Sequence, residues 1–188
     1  MKLGFLGGMF DPLHFGHLRA AESAREALGL DRVAFVPAAV PPHRATPTAS
    51  AEDRYAMVVL GTASHPAFVP WDGELRRGGP SYTVDTAQAL LDENPGAVLT
   101  LIVGADNLAL LPQWKDPERL LALCTVAVVG RPGETAPKAD PSRFVAVEGS
   151  HLPIASSALR ERVREGRSVR YLVPDAVAGY IEKRGLYR

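Results

Sequence analysis

A single cysteine, Cys124, stands in the 188 residues. No intrachain disulfide can form, so burial must hold the fold, and a reducing compartment is the natural setting. Charge of neither sign is in excess, since Lys plus Arg and Asp plus Glu each number 21. That removes the basic surplus with which proteins grip nucleic acid, and no nucleic-acid partner is expected. A local basic cluster for a small anion stays open, because it need not alter the total. No apolar run approaches the ~18 residues of a membrane span. Met1 to Leu6 leads into a glycine turn without a signal peptide's apolar stretch. The expectation is a cytoplasmic protein with no membrane partner. Repeats, low-complexity tracts and composition breaks are missing too, which leaves one domain over residues 1–188.

What is present is ordinary globular material, 46% hydrophobic and 22% charged, arranged as alternating strand and helix signals. Short apolar strands are expected at Lys2 to Leu6, Val33 to Val36, Phe68 to Trp71, Val98 to Val103, Thr125 to Val129 and Phe144 to Val147. Between them, Leu18, Ala21, Ala24 and Leu28 recur at helical spacing before a stop at Gly29. Ser50 with Asp53 reads as the capped start of a second helix, and Ser81 or Thr83 as the cap of a third. Pro41 to Ala49, Asp72 to Pro80 and Pro132 to Pro141 read as loops. Cys124, inside the apolar run Leu120 to Val129, reads as a small buried hydrophobe. Two helices close the chain, Ser157 to Glu165 and Pro174 to Lys183, the second with Val173, Val177, Tyr180 and Ile181 on one face. This alternation predicts an α/β fold, Rossmann-like and doubly wound, with a mostly parallel sheet, helices on both faces and a small C-terminal helical part. Right-handed crossovers put the strand C-termini on one edge, where such folds bind ligands. That edge should collect Gly7 to His17, Pro37 to Arg44, Trp71, Gly104 to Asn107 and Gly130 to Arg131.

The strongest motif is Gly7-Gly8-Met9-Phe10-Asp11-Pro12-Leu13-His14-Phe15-Gly16-His17. It joins the first strand to the first helix. Glycines let backbone amides approach a phosphate, and the helix start adds unpaired N–H groups and a positive dipole end. His14 and His17 lie three apart on one face, with Gly16 keeping that face uncrowded. The spacing is neither a dinucleotide G-x-G-x-x-G nor a P-loop. A metal site lacks a third ligand at sensible spacing.

Gly7 to His17 resembles the H-x-G-H signature of the nucleotidyltransferase superfamily related to class I aminoacyl-tRNA synthetases, in the form found in nicotinate mononucleotide adenylyltransferases. The resemblance runs on through Pro41-Pro42-His43-Arg44, Ser81-Tyr82-Thr83-Val84-Asp85-Thr86, Gly104-Ala105-Asp106-Asn107, Trp114, Arg131-Pro132-Gly133 and Ile154-Ala155-Ser156-Ser157-Ala158-Leu159-Arg160. It thus covers nearly the whole chain. Met9 stands where the family commonly has Thr or Ser, Arg44 where it has Lys, and Ala155 where it has Ser.

The resemblance implies transfer of the AMP moiety of ATP to nicotinic acid mononucleotide, with Mg²⁺ carried mainly by the ATP phosphates and no protein metal ligands. His14, His17 and Arg160 are then the catalytic residues. Gly7, Gly8, Met9, Phe10, Gly104, Asp106, Ile154, Ser156 and Ser157 join Arg160 in binding ATP. Ser156 and Ser157 fit a helix start, and Asp106 suits ribose hydroxyls, although a helix N-cap would explain it nearly as well. His43, Arg44, Ser81, Tyr82, Thr83, Trp114 and Arg131 are expected at the mononucleotide. Trp114 lies outside any apolar period, so it suits ring stacking, the alternative being a partly buried packing residue. A sister enzyme adenylating phosphopantetheine would share both phosphate motifs but has no evident use for Trp114. A tRNA synthetase would need a second, lysine-rich signature loop and a tRNA-binding domain, and a non-catalytic nucleotide sensor need not keep His14, His17 and Arg160 together. A homo-oligomer is left open.

Overall fold

The computed structural model describes residues 1–40, 46–130, 142–149 and 152–188, and at Asp106 the backbone alone. Among these residues six strands form one sheet: β1 (Lys2–Gly8), β2 (Arg32–Pro37), β3 (Phe68–Pro70), β4 (Val98–Gly104), β5 (Thr125–Gly130) and β6 (Phe144–Glu148). Their order is β3-β2-β1-β4-β5-β6, and every neighbouring pair is parallel. The order reverses direction between β1 and β4, which is where a crevice opens in a doubly wound sheet. The apolar strand runs are divided by the two-residue period of a strand. Leu99, Leu101 and Val103 face one core with Leu3, Phe5, Leu90 and Leu120, while Ile102 turns to the other with Leu6, Phe35 and Ala24. Each fully buried Leu or Phe contributes roughly 2–3 kcal/mol, so both faces hold the sheet.

Helix α1 (Phe15–Leu28) ends at Gly29, whose φ of 60° is the left-handed stop that the sequence signals. Helix α2 (Ala51–Thr62) starts at Ser50, whose hydroxyl accepts from Asp53 N–H. A third core lies apart from the sheet, where Met57 of α2 meets Leu159 of α7 (Ser156–Arg164) and Val173, Val177 and Ile181 on and before α8 (Asp175–Arg184). Tyr180 is packed partly buried against it, so the expected face is real.

Several local expectations are corrected. Asp72 to Pro80 is not all loop, because α3 (Gly73–Arg77) forms there, too short to show a period. Helix α4 (Thr83–Glu93) has Tyr82 at its N-cap, and the Ser81 hydroxyl accepts from Ala39 N–H instead of capping. Gly104, not Asp106, occupies the N-cap of α5 (Ala105–Leu108). The apolar run around Cys124 is two elements, α6 (Pro117–Leu123) and β5, split at that residue. Asp116 caps α6 and Pro117 opens it, a start signal hidden by the charges that follow. Cys124 is buried, and burial pushes its thiol up to about 12, so it stays an inert hydrophobe. Pro41 to Ala45 and Pro132 to Pro141 lie outside the described residues, as do His43, Arg44 and Arg131.

Candidate active site

Two cavities open above the C-terminal ends of β1 and β4. The larger, about 560 Å³, is lined by the glycine–histidine loop and the start of α7. The smaller, about 190 Å³, is lined by the start of α4 and by Trp114. Leu6, Gly7, Gly8, Met9, Gly104 and Asn107 belong to both, so the cavities meet at the topological switch point. A Cβ at Gly7 would meet nothing within 4 Å, and the shared floor is therefore open.

In the larger cavity the loop is held in a special shape. Phe10 adopts a left-handed φ of 48° and is nonetheless buried, its ring packed on Phe35 and edge-on to His17 at 5.0 Å. His14 is the N-cap of α1 and His17 its third residue. Their rings stack at 3.7 Å, and His17 Nδ1 accepts from His14 N–H at 3.3 Å. That bond leaves the proton of a neutral His17 ring on Nε2, the donor a phosphate oxygen would need. Gly16 is required here, since a Cβ on it would sit 2.9 Å from His14 Nδ1.

His14 is 5% exposed, and its Nδ1 has no hydrogen-bond partner among the described residues. Burial lowers its pKa to about 4, so the ligand-free ring is neutral near pH 7. The unfolded chain, with an ordinary imidazole, takes up this proton first as pH falls. Stability is therefore fully present above about 6.5 and is lost progressively down to about 4, with roughly 2 kcal/mol gone by pH 5. Urea unfolding at pH 7.5 and 5 should show that loss in the wild type, reduced by this amount in His14→Asn.

Across the cavity, α7 starts at Ala155, which offers no side-chain cap. Its first amides are left without the hydroxyl that Ser50 supplies to α2, and Ser156 and Ser157 of that first turn line the cavity. The Ser156 hydroxyl donates to Pro12 carbonyl at 3.0 Å, joining α7 to the histidine loop. Arg160 donates to Asp11 carbonyl at 2.7 Å and lines the same cavity. Gly8, Met9, Phe10, Ile154, Ser156, Ser157 and both histidines thus gather there. The smaller cavity gathers Ser81, Tyr82, Thr83 and Trp114. Tyr82 leaves the first amides of α4 uncapped, much as Ala155 does for α7. Trp114 is partly buried against the sheet core and also lines the cavity, so packing and exposure to a ligand coexist.

Three residues given no role by the sequence are built into the site. Asp11, inside the first motif, is 1% exposed and accepts from Thr48 N–H, Ala49 N–H and Tyr187 hydroxyl. Arg54 is 1% exposed and donates to Met9 carbonyl at 2.9 Å. Burial lowers its pKa and the Asp11 charge opposes that shift. Glu74 is 6% exposed, lines the smaller cavity and accepts from the Thr86 hydroxyl. Arg54 was detectable, because it shares a helix face with Met57, Val58 and Gly61, where a charge is out of place. The partners of Asp11 come from residues 48, 49 and 187, and no local pattern links them.

The arrangement of a parallel sheet, a histidine loop at its switch point and two uncapped helix starts lining the cavities is that of a nucleotidyltransferase, and the cytidylyltransferase-like family profile matches residues 5–162. Within that class the chain belongs to the nicotinate-nucleotide adenylyltransferase family. It is 49% identical over 188 residues to a probable nicotinate-nucleotide adenylyltransferase of Thermus thermophilus, covering 100% of both chains. It is 46% identical over 200 residues to one from a Roseiflexus species, covering 99% of this chain and 98% of that one. The fold is similar to that of Plasmodium falciparum nicotinic acid mononucleotide adenylyltransferase complexed with NaAD, with a TM-score of 0.79 at 16% identity, over 99% of this chain and 97% of that one.

Proposed function

We propose that the chain, acting as one nucleotidyltransferase unit, transfers the AMP moiety of ATP to nicotinic acid mononucleotide. The products are nicotinic acid adenine dinucleotide and pyrophosphate, a step of NAD biosynthesis. The carrying observation is the fusion of the two cavities over Gly7, Gly8 and Met9. One side offers phosphate donors, the other an aromatic face, and the shared floor is where the reacting phosphates would meet.

An oxygen of the mononucleotide phosphate attacks the α-phosphorus, and the bond to the β-phosphate oxygen breaks. A phosphate monoester is already ionised near neutral pH, so the protein need only align and stabilise charge. His14 and His17 act on the α- and β-phosphates together with the amides of Gly8 to Phe10. Ser156, Ser157 and Arg160 hold the β- and γ-phosphates, and Asp106 the ribose. Tyr82 and Thr83 amides receive the nicotinate carboxylate, and Trp114 stacks on the ring. His43, Arg44 and Arg131 complete the mononucleotide side. Among the described residues, no three His, Cys, Asp or Glu side chains gather to hold a metal. Mg²⁺ would enter as the divalent ion accompanying ATP, held mainly by the nucleotide, and would supply neutralisation of phosphate charge. No described helix is long and apolar enough to cross a membrane, and a cytoplasmic location suits the reading. Its partners are then ATP and the mononucleotide, with no nucleic acid or membrane.

The test is pyrophosphate release from ATP and Mg²⁺ with nicotinic acid mononucleotide, nicotinamide mononucleotide or phosphopantetheine. Release with the first, and less with the second, is expected. Release with phosphopantetheine alone would replace this reading by the sister activity.

A further inference from the structure

Asp11 lies between the left-handed Phe10 and the two histidines and lines the larger cavity, yet its carboxylate is bonded to groups outside that cavity. Of the roughly four lone-pair positions of a carboxylate, three are taken in the structure. Thr48 N–H donates to Oδ2 at 2.7 Å, and Ala49 N–H to Oδ1 at 3.1 Å. The Tyr187 hydroxyl donates to Oδ1 at 2.7 Å. Arg160 stands 3.7 Å from Oδ2, without a bidentate pairing, and bonds the Asp11 main-chain carbonyl instead. Tyr187 itself is 6% exposed and has a left-handed φ of 66°, a strained backbone for an aromatic residue. Such strain persists where surrounding structure over-determines it, and here the ring is packed in the third core with its hydroxyl on Asp11.

We propose that Tyr187 is a positioning residue for the phosphate cavity: by anchoring the Asp11 carboxylate through Oδ1, it keeps that carboxylate from closing with the Arg160 guanidinium and leaves the guanidinium available to a polyphosphate. The inference rests on the reading of Arg160 as a phosphate ligand. Without the hydroxyl, Oδ1 keeps one donor where it had two, the carboxylate is less firmly held, and the Arg160 guanidinium, already 3.7 Å from Oδ2, can close into a pair that would compete directly with the nucleotide. The third core, which already shares α7 with the site, would thus be coupled to it through this hydrogen bond as well.

The test uses Tyr187→Phe against Tyr180→Phe. Tyr180 hydroxyl also donates to a buried carboxylate, Asp53 at 2.8 Å, but Asp53 lines neither cavity. Both changes keep the ring and its packing. Titration should show ATP affinity weakened about tenfold in Tyr187→Phe, the size of one charge-assisted hydrogen bond. Mononucleotide affinity should hold, and Tyr180→Phe should bind both ligands within about twofold of wild type. Adding Asp11→Asn to Tyr187→Phe removes the anion that captures Arg160, and should recover ATP affinity. Wild-type ATP affinity in Tyr187→Phe, equal losses in both Phe variants, or further loss in the double variant would each overturn the proposal. Wild-type protein that binds ATP but makes no dinucleotide would instead refute the proposed activity and leave this binding comparison intact.

Discussion

Replacing His17 by Ala should lower kcat by ~10²-fold or more, because a preorganised donor to developing phosphate charge is worth ~3 kcal/mol. The side chain lines the larger cavity at the end of the shared glycine floor, held by Phe10 on its edge and by His14 on its face. Those supports orient the ring but contribute little to folding. Its hydrogen bond from His14 N–H is long at 3.3 Å, and an edge-on aromatic contact adds only about 1 kcal/mol. The melting temperature should therefore fall by a few degrees at most. Loss of activity without loss of structure is the signature, read from steady-state rates and a thermal scan on the same preparation. A stable variant with full kcat would remove His17 from the chemistry and leave the α7 start as the main phosphate contact.

His14 should behave differently, because it is more deeply buried and neutral when the cavity is empty. A polyphosphate beside it favours the protonated ring, so nucleotide binding and proton uptake are linked. The two histidines of one motif are thus divided by burial. His17 keeps a half-buried ring at the cavity, while His14 sits at the helix start, where its buried ring backs the stack.

That division was not legible in the sequence, which places the pair on one face without saying which ring is buried. Legible features were those set by short-range chemistry. Strand runs, the Gly29 stop and the Ser50 cap all appear where the pattern puts them. The separation of site residues also follows, since Ser81 to Thr83 and Trp114 line one cavity and Ile154 to Arg160 the other. Short helices escaped, because α3 and α6 are too brief to establish a 3.6-residue period. The Asp11 network escaped for another reason: its bonds span from 37 to 176 positions of chain. Ser81 shows the same limit, since its hydroxyl serves a backbone amide 42 residues away rather than its own helix.

Trp114→Ala should raise the Kd for nicotinic acid mononucleotide roughly 5- to 150-fold, taking ring stacking on indole as ~1–3 kcal/mol. ATP affinity should remain near wild type, because Trp114 lines only the smaller cavity while the histidines and α7 line the larger. Some stability will be lost as well, since the indole packs partly buried against the sheet core and follows the buried Leu111. A fall in melting temperature alone therefore decides nothing, and selectivity between the two ligands is the discriminating quantity. Pure packing loosens the shared floor at Gly104 and Asn107 and should weaken both ligands alike. Stacking weakens one. Trp114→Phe should recover part of the loss, because a smaller aromatic face still lies against the ring. Calorimetric titration of each ligand into both variants separates these outcomes. If the Ala variant folds and keeps its mononucleotide affinity, Trp114 does not read the ring. Recognition would then fall to the uncapped amides at the start of α4, where Tyr82 and Thr83 line the same cavity.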